Sequence, residues 1–310
     1  MAREPGRIGC AAESVLRGEP LRATASRVRR WLLIEQPGPW GREALLESRL
    51  EPRVAHTLRS KARRLGVRVV LIRRPTRERS EQRRAYLVRT QRDGSWAARY
   101  DVDAPAELEH LDLSLLDAQS PPPDAAPVPA TLHLVCTNGR HDPCCADRGR
   151  PVIRALVDSA AAEVWESSHV GGDRFAANVV FLPQGVYYGR VPPEAAARLV
   201  SEVDEGLLDL EHYRGRSCDQ PLVQAAEIFL REELGERHLD ALEPSGSSGS
   251  GRDEATVTFE YDGSAHAVTV HREPGSPEHL TCTDHGESQP WQYRLVRIEP
   301  GRFGSGGTSS

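Results

Sequence analysis

Lysine is almost missing from this chain of 310 residues: Lys61 is the only one, although Lys and Arg together number 40. Arg spread over every segment reads as the imprint of a GC-rich genome rather than as a set of phosphate or carboxylate clamps. No surplus of positive charge exists either. The net charge is −5, with 27% charged residues, so neither nucleic-acid binding nor adhesion to a membrane surface is expected. No apolar run approaches the ~20 residues that a membrane-spanning helix needs. The opening stretch MAREPGRIGC lacks the apolar centre of a signal peptide, which makes a cytoplasmic location the expectation. The C-x2-C spacing common to zinc sites and thioredoxin-type redox motifs is absent. In a reducing compartment structural disulfides are rare, and clustered cysteines serve metal binding or redox chemistry instead.

What cysteine there is lies bunched. Three of the six fall in Cys136-Thr-Asn-Gly-Arg-His-Asp-Pro-Cys144-Cys145, and His169-Val-Gly-Gly-Asp173 follows 24 residues later. Thiolate, imidazole and carboxylate are metal-binding groups, and a Gly-Gly spacer lets ligands at i and i+4 turn toward one centre. Cys136 stands at the expected end of one strand and His169 at the end of the next parallel strand, where open α/β sheets bind ligands. Cys144 and Cys145, between Pro143 and Gly149, are expected in irregular backbone able to offer N–H donors to an anionic cluster. Buried apolar thiols beside a capping His are the plain alternative, but three Cys with His-x3-Asp at two strand ends favour a metal or iron–sulfur site. The wide C-x7-C and C-x8-C loop suits a cofactor larger than a zinc ion.

Composition divides the chain into three segments. Gln119–Ala130 is Pro-rich and reads as a stiff linker, Ser245–Gly251 is Ser/Gly-rich and reads as a flexible one, and the tail after Pro300 reads as disordered. The first two segments repeat one order about 100 residues apart. The first gives a strand at Arg30–Glu35, a helix across Arg42–Leu65, a strand at Val67–Ile72, and a hairpin of Arg84–Thr90 with Trp96–Val102. The second gives a strand at Thr131–Val135, a loop over Thr137–Gly149, and a helix with Pro151 in its first turn. A strand at Ala162–Glu166, a hairpin of Asn178–Leu182 with Val186–Val191, and a helix at Pro192–Glu205 follow. Strand, helix, strand, hairpin, helix is the order of a thioredoxin-like α/β unit. The expected architecture is thus two tandem thioredoxin-like units, the first degenerate and the second carrying the site, plus a small antiparallel β module. Their expected bounds are 10–118, 131–243 and 252–300. In the module, Cys282, His271, His279 and His285 lack ligand spacing and are expected at the surface, with no chemistry.

Cys136…Cys145, Ser168-His-Val-Gly-Gly-Asp-Arg-Phe-Ala-Ala-Asn178 and Tyr188-Gly-Arg-Val191 together resemble the sucrase/ferredoxin-like family of thioredoxin-like ferredoxin-domain proteins. Trp31–Gly41 and Arg214-Gly-Arg-Ser-Cys218 extend the likeness to roughly residues 10 to 240. The likeness implies a [2Fe–2S] cluster held by two Cys and two His, as in eukaryotic members. Its first Cys falls on Cys136, its second on Cys145 and its first His on His169. The second His is Asp173 here, which leaves the fourth ligand open among Asp173, Cys144 and Cys218. Asp173 has the position, Cys144 is a thiol next to another ligand, and Cys218 is a thiol flanked by Arg. Nothing resembles the paired carboxylates of a glycosidase. The functional expectation is an electron carrier or redox sensor, not an enzyme, that works with a redox partner protein of unknown identity. Two rivals come from other classes. One is an iron-free thiol–disulfide protein using Cys144, Cys145 and Cys218; the other is a zinc-stabilised interaction module. Arg148, Arg150 and Arg174 are expected near the site, Asn178 across its hairpin, and Trp40 and Trp165 in the core.

Overall fold

The computed structural model describes residues 8–76, 82–128, 131–159, 163–249, 251–283 and 286–300. A short helix, α1 (Cys10–Leu16), precedes the first half of the main sheet, which comprises β1 (Arg30–Glu35), α2 (Pro52–Leu65), β2 (Arg68–Arg73), β3 (Arg83–Arg89), β4 (Trp96–Val102) and the short edge strand β5 (Ala126–Pro127). The second half follows as β6 (Leu132–Cys136), α3 (Pro143–Asp158), β7 (Val164–Ser167), β8 (Val179–Leu182), β9 (Val186–Tyr188), α4 (Ala196–Asp204), β10 (Tyr213–Arg216) and α5 (Pro221–Leu234). In each half the first strand runs parallel to the second and antiparallel to the third, so one strand order occurs twice. Antiparallel pairing of β2 with β7, Ile72 opposite Ser167 and Arg73 opposite Glu166, joins the halves into one mixed ten-stranded sheet.

That sheet curls. The rings of Trp31 on β1 and Tyr187 on β9 have centroids 6.3 Å apart, although five strand steps separate these strands in the order. A flat sheet would hold them roughly 24 Å apart. Alternation along β1 explains how both faces are filled: Leu32 and Ile34 pack under α2, while Trp31 and Leu33 join Tyr86, Leu134, Trp165 and Tyr187 inside the curl. Trp40 and Trp165 are both buried. On the outer face of the second half, Val152 and Ile153 of α3 and Leu199 of α4 cover Val135 and Phe181.

A separate antiparallel sheet follows, made of β11 (Glu243–Ser248), β12 (Glu254–Tyr261), β13 (Ser264–Pro274) and β14 (Trp291–Pro300). Its inner face, Val257, Phe259, Val268 and Val270, packs on Ala225, Phe229 and Leu230 of α5. No helix among the described residues is long and apolar enough to cross a membrane.

Three local expectations are corrected. The helix expected over Arg42–Leu65 starts only at Pro52. Before it, the Gly41 N–H donates to Glu47 O and the Arg42 N–H to the Glu47 carboxylate, closing a turn; Pro52 then fits the first helical position, where a missing N–H costs nothing. The second helix starts at Pro143, not near Pro151, because Asp142 caps it by accepting the Cys144 N–H. Cys144 and Cys145 therefore lie in a first helical turn and not in irregular backbone. The Ser/Gly run expected as a flexible linker mostly forms β11, whose main chain pairs with β12 along an exposed edge where small side chains have nothing to pack against. Residues 129–130, Ser250, His285 and the tail after Pro300 lie outside the described residues.

Candidate metal centre

Cys136 is the last residue of β6, opposite Ser167 at the end of parallel β7. Helix α3 returns close to that strand end, and Gly149 is what permits the approach: a Cβ there would sit 2.2 Å from the Cys136 carbonyl oxygen. The turn after β7 needs its two glycines as well. Gly171 and Gly172 have φ of +107° and +83°, and a Cβ on Gly172 would lie 2.4 Å from the guanidinium of Arg214. Arg214, fully buried, donates to Gly171 O at 3.1 Å and to Asn178 Oδ1 at 2.7 Å, and the Asn178 amide donates to Gly172 O at 2.8 Å. Desolvation lowers the Arg214 pKa to about 9. This lattice sets the direction in which His169 and Asp173 leave the turn.

The donor atoms of Cys136, Cys145 and His169 all lie within 4.8 Å of one another. His169, Asp173 and His141 form a second such group, with His169 common to both. Asp173 binds the two groups together: its Oδ1 accepts from Cys145 Sγ at 3.1 Å and stands 2.9 Å from His169 Nδ1, and its Oδ2 is 3.6 Å from His141 Nε2. The two imidazoles stack, with centroids 3.7 Å apart. The thiols are shut away, at 1% and 0% exposure, whereas the imidazoles of His141 and His169 keep 26% and 21%. The centre thus has a dry sulfur side and a wet imidazole side.

The electrostatics follow from this packing. The Cys136 thiol is held well below its usual range, first by the hydrogen bond from Cys145 and then by His169 and the Asn138 N–H, against the opposing effect of burial; Cys145 is correspondingly pushed up. Burial works against a charged His169, but hydrogen bonds and charge from Asp173 and Cys136 outweigh it and raise the pKa to about 9. Burial likewise opposes ionisation of Asp173, and His169 and His141 overcome it, so its carboxyl stays below its ordinary value. His169 Nδ1 is shut off from solvent and stands 2.9 Å from Asp173 Oδ1. A buried imidazole nitrogen, two thiols and a carboxylate make a donor set that can hold a metal ion.

The other candidate residues separate from this group. Cys144 and Cys145 are neighbours in a helix, so their side chains diverge by about 100°. Cys145 faces Cys136, while Cys144 faces away, its Sγ 3.5 Å from Cys282 Sγ. Cys218 joins no group of potential ligands among the described residues, and burial pushes its thiol up to about 12. Arg174 pairs with Glu19. The expectation that Cys282 lies at the surface is corrected: it is 8% exposed, and its thiol is grouped with Cys10, Asp142 and Cys144. Sequence reading missed His141 altogether, although a ligand-type side chain five residues after Cys136 in the same loop was the available signal.

A family model for sucrase/ferredoxin-like proteins matches residues 21–215, which include every residue of this centre. No curated protein and no solved structure matches the chain significantly. With well over half its length matched, the chain belongs to the sucrase/ferredoxin-like family.

Proposed function

We propose that this protein is a cytoplasmic electron carrier or redox sensor built on a [2Fe–2S] cluster. Cys136, Cys145, His169 and Asp173 are the proposed ligands. The observation that carries this reading is the convergence of two buried thiols and one imidazole within 4.8 Å at the ends of adjacent parallel strands. The repeated strand order supports describing both halves of the main sheet as thioredoxin-like, with the first a degenerate copy. Asp173 is preferred over His141 as fourth ligand because it contacts both Cys145 and His169, whereas His141 groups with no thiol.

When bound, such a cluster takes up and releases single electrons at a potential set by its ligands and by hydrogen bonds to sulfur. The chain's own residues supply the rest. The Asn138 N–H donates to Cys136, which favours the thiolate. Asp173 and Arg214 fix the orientation of His169, directly and through the Gly-Gly turn. Burial of both thiols keeps water from the sulfur side, so a partner protein would dock on the exposed imidazole side, beside Arg42 and Arg68, which meet His141 and His169 through main-chain oxygens and guanidinium nitrogens.

A second reading has an observation of its own. Donor atoms this close also suit a single zinc ion. One measurement separates the two. Protein made with iron available and purified without oxygen should be red-brown, with iron and acid-labile sulfide near two of each per chain. Colourless protein with zinc bound by Cys136 and Cys145 would sink the cluster, and metal-free protein with a titratable Cys136–Cys145 disulfide would put a thiol-redox role in its place.

A further inference from the structure

Away from that centre, four more potential ligands meet in a closed pocket: Cys10 at the start of α1, Asp142 and Cys144 at the start of α3, and Cys282 in the connection between β13 and β14. All four are buried, and their donor atoms lie within 4.8 Å of one another. Cys10 Sγ is 3.7 and 3.6 Å from the two Asp142 oxygens, and Cys144 Sγ is 3.5 Å from Cys282 Sγ. In a tetrahedral zinc site with bonds of about 2.3 Å to sulfur and 2.0 Å to oxygen, the edges are about 3.8 Å between sulfurs and about 3.5 Å between sulfur and oxygen. The three separations above lie close to those edges, and the remaining donor pairs are within 4.8 Å.

We infer that Cys10, Asp142, Cys144 and Cys282 form a structural site for a zinc-class divalent cation, distinct from the centre at Cys136. Two ordinary alternatives fit less well. A disulfide needs sulfurs about 2.05 Å apart, and three thiols cannot all pair. A small apolar core is the other, but the cluster holding these thiols adds only Ala11 and Ala176, too little apolar surface to fasten a loop to two helices. Main-chain donors instead point at the proposed ligand atoms: the Cys10 N–H at Cys282 Sγ (3.2 Å), the Ala11 N–H at Cys144, and the Cys282 and Cys144 N–H groups at Asp142 (2.6 and 2.8 Å). N–H groups aimed at sulfur and carboxylate favour the anionic forms that bind metal. The donor set of three soft thiolates and a carboxylate, closed to water, matches structural zinc chemistry.

The placement gives the site a purpose. It ties together three segments far apart in sequence, and two of them, Cys10 and Cys282, lie outside the residues matched by the family model. It also clamps the first turn of α3, in which Cys144 faces one site and Cys145 the other. This explains a vicinal cysteine pair that serves no single centre, and it gives the C-terminal sheet a structural link to the N-terminus of α3.

The test is metal analysis of the full chain, expressed with both zinc and iron available, for the natural protein and for Cys10→Ser, Cys282→Ser and Cys136→Ser. The inference expects one tightly held zinc per chain, lost in Cys10→Ser and Cys282→Ser and retained in Cys136→Ser. Iron and sulfide, if the first centre carries a cluster, should follow the reverse pattern, so failure of either reading shows separately. Should the Ser variants fail to fold, the natural protein still decides. Its zinc should protect Cys10, Cys144 and Cys282 from iodoacetamide in the folded state, and chelation should expose them together. Natural protein without zinc, a zinc content that Cys282→Ser does not lower, or a Cys144–Cys282 disulfide found by peptide mapping would each overturn the assignment.

Discussion

Asp173 occupies the most contested position in the first centre, touching Cys145, His169 and His141 at once. A carboxylate that only orients a ligating imidazole is worth about 10–100-fold in metal affinity, whereas a carboxylate that binds metal is indispensable to a four-ligand site. Asp173→Ala should therefore leave anaerobically purified protein nearly free of iron and colour. His141→Ala should keep both, with affinity lowered by about tenfold at most, and Cys218→Ser should change nothing. Colour that survives Asp173→Ala but not His141→Ala would move the fourth ligand to His141. At this scale the sequence showed that Cys136 and His169 stand at the ends of adjacent strands, and the structure places Cys145 and Asp173 beside them. The sequence did not carry the separation of Cys144 from Cys145, which depends on a helix beginning at Pro143, nor the stacking of His141 on His169, which depends on how the loop returns over the second turn.

Elements were legible where periodicity was strong and illegible where a cap or a partner decided. The apolar strands β1, β2, β6 and β8 could be read directly, whereas the start of α2 was set by a turn closed through Glu47, and β11 formed from a Ser/Gly run because β12 offered main-chain partners. Neither cause is visible in local composition. The turn after β7 is the clearest case in which an element's conformation positions the site. At Gly172, a left-handed backbone costs about 1–2 kcal/mol for a residue with a Cβ. Moving the buried Arg214 to make room would break hydrogen bonds worth about 1–3 kcal/mol when one partner is left unsatisfied. Gly172→Ala should thus lower unfolding free energy by more than about 2 kcal/mol and reduce metal content. Gly66→Ala makes the control: its φ is +64° with nothing within 4 Å of a Cβ, so only the backbone cost applies. Equal losses in urea titrations of the two variants would show that Arg214 does not brace the turn.

Across the whole molecule, the halves are held together by charge as well as by the β2–β7 pairing. Arg92, in the hairpin between β3 and β4, reaches across to Asp219 (2.8 Å), to Glu227 of α5 (2.9 Å) and to the Leu242 carbonyl. Glu227 also receives Arg231 at 2.9 Å, and both of those side chains are fully buried. Burial alone would raise the Glu227 carboxyl, but Arg92, Arg231 and Arg216 pull its pKa down from 4.5 to about 2. A depressed acid stabilises the fold above its unfolded pKa, and that contribution fades as pH falls through the folded value. The window is therefore pH 4.5 down to 2. Asp219 in the same network shifts upward, mainly through burial, and offsets part of the gain. Removing one member of a buried pair leaves an uncompensated charge and costs about 3–5 kcal/mol. Glu227→Gln should therefore be less stable than the natural chain by about that much at pH 7 in urea unfolding, and the gap should narrow as the pH is lowered from 4.5 toward 2. Arg92→Met should lose comparable stability, and the double variant should lose less than the two single losses combined, because one substitution removes the partner that the other strands. A Glu227→Gln deficit that stays constant across that pH range would show that packing around α5, not charge, joins the first half to the second.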